Sequence, residues 1–202
     1  REGEVIKLHD LLQEAIRRAE HAIDEKNPDL VGREREDVAR AVGIGAVKYA
    51  DLSTERTKDY VFDWERMLSF EGNTAPYLQY AYARICSIFR KWGGDREPLR
   101  VNFESLLEGE LSILSKEELS LSRRLVEFPS ILDDSVSTFN PHKLCKHLHS
   151  VASSFASFYE NCSILKEENV VLSNRRLALC DLTARELELG LGIMGIDVPE
   201  RM

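Results

Sequence analysis

The side chains best placed for chemistry by type and spacing are three tyrosines in six residues. Tyr77, Tyr80 and Tyr82 fall in "EGNTAPYLQYAYARICSIF", behind Asn73 and Pro76 and ahead of Arg84. At 100° per residue, Tyr77 and Tyr80 share a stripe, and Arg84 follows one turn after Tyr80. Tyr82 lies about 160–200° round from them. Two rings and a guanidinium on one face make a platform for unpaired bases, with Arg84 available to a phosphate or a ring face. The same rings also suit a helix packing side, provided their hydroxyls find partners. Spacing alone leaves both readings open, but it rules out one purpose for all three tyrosines.

Other constellations carry less. His142, Cys145 and His149 fall within roughly 60° of one another on a helix. That pattern raises a metal-dependent enzyme as one hypothesis. A straight helix rarely wraps three ligands around one ion, however, and no fourth Cys or His shares that face, His147 lying on the opposite one. "GIGA" (Gly43 to Ala46) lacks the third glycine and the preceding strand of a dinucleotide loop, so a close helix crossing explains it better. Asp133–Asp134 and Glu117–Glu118 read as solvated polar faces rather than acid–base pairs. No GxSxG, HExxH or phosphate-cradling loop occurs.

The elements that must position these residues read as helices throughout. In "VIKLHDLLQEAIRRAEHAIDEK", Leu8, Leu11, Leu12, Ala15, Ile16, Ala19 and Ile23 recur at helical spacing, and Pro28 stops the helix. A second helix carries Val38, Ala41, Val42, Gly45, Ala46 and Tyr49 on one side. "DYVFDW" reads as a short extended piece entering a helical turn. The tyrosine helix is capped by Asn73 or Thr74, tolerates Pro76 in its first turn and ends at "GGDREP". Ser115 and Glu118 form a capping-box pattern. Asn140 and Pro141 open a further helix with Leu144, Leu148, Val151, Ala152 and Phe155 inward. The last helix is read from Ser173, with "ENVV" as connector. The expectation is an all-α bundle.

Composition narrows the function classes. The 202 residues are 43% hydrophobic and 31% charged, enough apolar material for a core. No run is long enough to cross a membrane, and no signal peptide is evident. A first residue that is Arg rather than Met suggests a piece of a longer chain. Cys86, Cys145, Cys162 and Cys180 are far apart and fit a reduced, cytoplasmic setting. The net charge of −8 argues against bulk nucleic-acid binding, but it is uneven. Residues 33–100 carry 12 basic and 11 acidic groups, whereas residues 101–140 carry 3 and 8. A local RNA contact is permitted around the tyrosines.

At this level the chain resembles the class I arginyl-tRNA synthetase family. The resemblance rests on "KYADLSTERTKDYVFDWERMLSFEGNTAPYLQYAYARICSIFR", on "NPHKLCKHLHSVASSFASFYENCSIL" and on the ending "RRLALCDLTARELELGLGIMGIDVPERM". The opening "REGEVIKLHDLLQEA" is similar to the segment just after that family's signature loop. The resemblance covers essentially the whole chain, with residues 104–140 matching least. It implies a DALR-type anticodon-binding helical bundle over residues 71–202, reached through a connector over residues 1–70. It further implies tRNA(Arg) and the catalytic domain of the same chain as partners, with no membrane and no DNA. ATP and magnesium would serve the full-length enzyme, and no cofactor is expected here, where the HIGH motif and the signature loop are missing. The implied anticodon contacts are Tyr77 and Tyr80, then Tyr159 and Met202, with Asn73 and Arg84 in the same motif as Tyr77. Tyr82 departs from the family pattern, which more often has His there. A stand-alone tRNA-binding module without aminoacylation activity is the alternative.

Overall fold

A computed structural model describes residues 7–59, 62–97, 99 and 114–202. Among them the chain forms seven helices: α1 (Leu8–Lys26), α2 (Gly32–Leu52), α3 (Trp64–Met67), α4 (Ala75–Trp92), α5 (Lys116–Ser137), α6 (Pro141–Asn161) and α7 (Val170–Ile193). The all-α expectation holds.

α1 and α2 form a hairpin whose closeness is set by residue size. Ala15, Ala19 and Ile23 meet Val38, Ala39, Val42 and Ala46. A Cβ built on Gly43 would lie 2.7 Å from the backbone of Ala15 and Ile16, so only glycine permits this crossing. Leu8, counted on the apolar face from its spacing, is instead exposed. Asp63 caps the single turn of α3, its side chain accepting from the amides of Glu65 and Arg66, where the sequence suggests an extended entry into a turn.

α4 is opened by Thr74, whose hydroxyl accepts from the Tyr77 amide, and Gly93 closes it in the left-handed conformation (φ 69°). The capping box of α5 is complete. Ser115 Oγ accepts from the Glu118 amide at 3.1 Å, and the Glu118 carboxylate accepts from the Ser115 amide at 2.8 Å. α5 continues past Pro129, which is itself exposed. α6 buries the five apolar residues expected of it and adds Cys145, His147 and Phe158. α7 begins at Val170, three residues before the expected Ser173, because the Asn169 side chain caps it by accepting from the Leu172 amide at 3.1 Å. "ENVV" is thus partly helix rather than connector.

Around α7 the bundle closes on itself, with α4, α5 and α6 as its neighbours. That position explains why α7 buries polar side chains. Arg176 bonds the fully buried carboxylate of Glu118 at 3.2 Å, and Glu186 meets His147 at 2.7 Å. The main apolar cluster joins α4 to α7, and a second joins α1, α2, Met67 and Leu68. Tyr82, Ile85 and Phe89 are buried in the first, so the side of α4 opposite Tyr80 is its packing side.

Candidate nucleic-acid interface

Tyr80 and Arg84 stand one turn apart on α4, and Tyr159 approaches them from α6. The Arg84 guanidinium lies 4.8 Å from the centre of the Tyr80 ring and 5.0 Å from that of Tyr159. Its Nη2 also donates to the Tyr80 hydroxyl at 3.3 Å. The cation is thus held between two rings, an arrangement only a planar guanidinium fits well. Phe70 backs Tyr80 edge-on at 6.1 Å, and Phe155 backs Tyr159 at the same distance. Tyr80 remains 36% exposed and Tyr159 39%, so ring surface is left for a further planar group.

Beside this stack lies a hollow of about 430 Å³ lined by Tyr80, Arg84 and Tyr159 together with Asn27, Ala83, Ser87, Arg90, Arg201 and Met202. Its lining contains three arginines and no acidic side chain. A second hollow of about 340 Å³ shares Arg84, Ser87 and Tyr159 and adds Lys91 and Lys166. The region is therefore cationic within a chain of net charge −8, as the uneven charge distribution permits.

Met202 reaches the hollow on an irregular tail after α7. Asn27 Nδ2 donates to the Met202 main-chain oxygen at 3.0 Å, and Arg90 donates to the Glu200 carbonyl at 3.0 Å. The Met202 side chain packs on the α1–α2 cluster. Four of the six residues singled out in the sequence, Tyr80, Arg84, Tyr159 and Met202, thus line one hollow.

The other two lie apart from it. Tyr77 is half-buried against the main cluster, its ring 5.5 Å from that of His149. Asn73 Oδ1 lies 2.7 Å from the Tyr49 hydroxyl, at a hollow of about 400 Å³ between α2, α3 and the start of α4. Burial drives the Tyr49 phenol well above its usual range, which keeps it a neutral donor. Asn27, Arg90 and Arg201 escaped the sequence reading. Asn27 stands there only as the residue before a helix-stopping proline, and Arg201 only as a letter of the terminal motif.

The His142, Cys145 and His149 pattern does not converge. Cys145 is fully buried, with its sulfur 3.3 Å from Met194 Sδ and its thiol pushed up to about 12 by burial. His149 sits against Tyr77, and burial lowers its pKa. Among the described residues no group of three or more His, Cys, Asp or Glu is placed to hold a metal.

Backed tyrosine rings and guanidiniums held by neutral partners at a surface hollow are features that suit unpaired bases and phosphates. The chain belongs to the DALR anticodon-binding domain family, whose model matches residues 78–202. Residues 1–64 match the catalytic-domain model of the class I tRNA synthetases for arginine. The chain is 48% identical, over all 202 residues, to arginine–tRNA ligases of Escherichia coli and Shigella flexneri. It spans about a third (34%) of the length of these curated relatives. Among solved structures it resembles the arginyl-tRNA synthetase of Thermus thermophilus, with TM-score 0.86 and 32% identity, over 100% of this chain and 33% of that one. It also resembles the Plasmodium falciparum enzyme, with TM-score 0.84 and 30% identity, over 98% of this chain and 34% of that one.

Proposed function

We propose that the chain is the anticodon-reading part of an arginine–tRNA ligase and that its ligand is the anticodon loop of tRNA(Arg). The observation that carries this is the Arg84 guanidinium held between Tyr80 and Tyr159 at a hollow without acidic side chains. An unstacked base of the loop would lie on the exposed ring faces, Met202 would close the hollow with a soft apolar wall, and Arg84 and Arg90 would meet the phosphates. Tyr77 on α4, and Asn73 just before it, would extend the contact surface toward the rest of the loop.

In this reading residues 71–202 form the anticodon-binding bundle, and residues 1–70 connect it to the catalytic part of the longer protein. That part would activate arginine with ATP and magnesium and transfer it to tRNA. The residues here carry neither the HIGH motif nor the signature loop. The chain by itself is therefore assigned no adenylate chemistry. Among the described residues no helix is long and apolar enough to cross a membrane, and the four cysteines are free thiols. We place the protein in the cytoplasm, with neither membrane nor DNA as a partner.

Titration of the chain with tRNA(Arg) and with a tRNA for another amino acid, at two salt concentrations, tests the proposal. The expected result is tighter binding of tRNA(Arg), with affinity falling as salt rises. Equal affinity for both tRNAs would refute it.

A further inference from the structure

We infer that Gln79 is a positioning residue: it fixes the irregular tail after α7 and thereby sets Met202 on the wall of the hollow. This rests on the reading of that hollow as the tRNA site.

The tail has no secondary structure to satisfy its own backbone, so donors from α1, α2 and α4 must place it. Lys48 donates to the Gly195 carbonyl, Arg90 to that of Glu200 and Asn27 to the Met202 main-chain oxygen, while Arg201 pairs with Glu34 at 3.2 Å. The Lys48, Arg90 and Arg201 contacts are exposed, and exposed charged contacts hold a chain loosely. Gln79 is different. It is fully buried, and its Nε2 donates both to the Asp197 carbonyl at 2.7 Å and to the Ala41 carbonyl of α2 at 3.1 Å.

A primary amide suits this place for a chemical reason. It carries two N–H donors on one atom, diverging enough to reach two carbonyls from different elements. Turned the other way, it would set its oxygen against two carbonyl oxygens. Its own Oε1 is buried without a partner, a cost that makes sense only if the NH2 group is what the fold needs. The surroundings are shaped to match. A Cβ on Gly45 would lie 3.0 Å from Gln79 Nε2 and 3.1 Å from Ile196 Cγ2, so this glycine makes room for the amide and the tail together.

The test is made in the full-length protein with Gln79→Met, which keeps the bulk and removes both donors. Gly45→Ala, which crowds the same point from α2, is the second variant should the first not fold. Two readouts are taken: amide hydrogen exchange of residues 195–202 and affinity for tRNA(Arg). Each variant is expected to speed exchange of the tail while leaving α6 protected, and to weaken tRNA(Arg) about three- to tenfold. Combined with Met202→Ala, neither is expected to weaken binding beyond Met202→Ala alone, because both act through the same contact. A merely structural role would give additive losses or a lowered melting temperature with unchanged affinity, and either result overturns the inference. So does wild-type tail exchange in a folded variant. If Met202→Ala alone leaves the affinity intact while Tyr80→Ala lowers it, the site stands and the role of Gln79 falls. If neither lowers it, the reading of the hollow itself fails.

Discussion

Replacing Tyr80 and Arg84 separately should weaken tRNA in two distinguishable ways. Tyr80→Ala removes one stacking face, worth about 1–3 kcal/mol per base, or roughly 5- to 150-fold in affinity. It removes no charge, so its plot of log affinity against log salt should run parallel to that of the wild type. Arg84→Ala removes one cation, so its plot should be shallower by about 0.7 in slope if that cation meets a single-strand phosphate. It also removes the group that both rings face, at 4.8 and 5.0 Å. The two rings should then be less fixed in orientation, and the double variant should lose less than the sum of the single losses. Tyr80 is 36% exposed and makes its ring contacts with Phe70 and Arg84, so circular dichroism should show an intact fold. Filter binding or fluorescence titration over a series of salt concentrations gives both quantities. An unchanged affinity for Tyr80→Ala, or equal slopes for all the proteins, would refute the assignment of ring to base and guanidinium to phosphate.

The packing supports three more expected outcomes. Glu118→Ala strips the fully buried carboxylate from Arg176 and half the α5 capping box; a loss of about 3–5 kcal/mol is expected in denaturant unfolding. Glu186 is raised above the usual carboxylate range, first by burial and against the opposing hydrogen bond of His147. A raised folded-state pKa means that its stabilising share is complete below the unfolded value, about 4.3, and lost as pH rises through the folded one. Glu186→Gln should therefore be more stable than the wild type at pH 7, with the gap closing as pH falls through the raised folded-state pKa toward about 4.3 in thermal melts. Gly43→Ala forces α1 and α2 apart at a 2.7 Å backbone contact and should cost about 1–3 kcal/mol or more in the same denaturant assay, while Gly192→Ala, with open space around it, should cost little.

Helical periodicity carried most of the fold because the faces of α1, α2, α4 and α6 are strongly two-sided. It failed for the start of α7, where the first residues, Val170 and Val171, are apolar yet exposed, so no change from polar to apolar marks the entry. Asn169 was the available signal, a good cap lying ahead of the expected start at Ser173. At the candidate site, the i, i+4 pair of Tyr80 and Arg84 is a local relation, and spacing alone reveals it. Tyr159 and Met202 join them through contacts between residues far apart in the sequence, to which periodicity is blind; family resemblance singled those two out. Tyr77 shows the converse. It shares the stripe of Tyr80, yet α6 runs beside that part of α4 and covers it with His149. Helical spacing says which residues share a face, not which part of the face a neighbouring helix occupies.

The charge balance of this chain obeys the same distinction between local and total. A chain of net charge −8 should repel a polyanion, yet many of its acidic groups are spent on arginines elsewhere. Glu14 is held down to about 2 by Arg17 and Arg18, Asp24 accepts from Arg35, and Glu118 and Glu167 hold Arg176. At the hollow the arginines are treated differently. Arg84 is held by two rings and a phenol oxygen, and Arg90 by a carbonyl; none of these cancels a positive charge. Arg201 differs from them in pairing with a carboxylate, that of Glu34. Neutral partners position the two guanidiniums while leaving their field intact at short range. Beyond roughly 8–10 Å, salt screens the acidic remainder of the chain. Binding at such a site depends on close approach rather than long-range attraction, and the wider positive field needed for rapid encounter would have to come from other parts of the full-length protein.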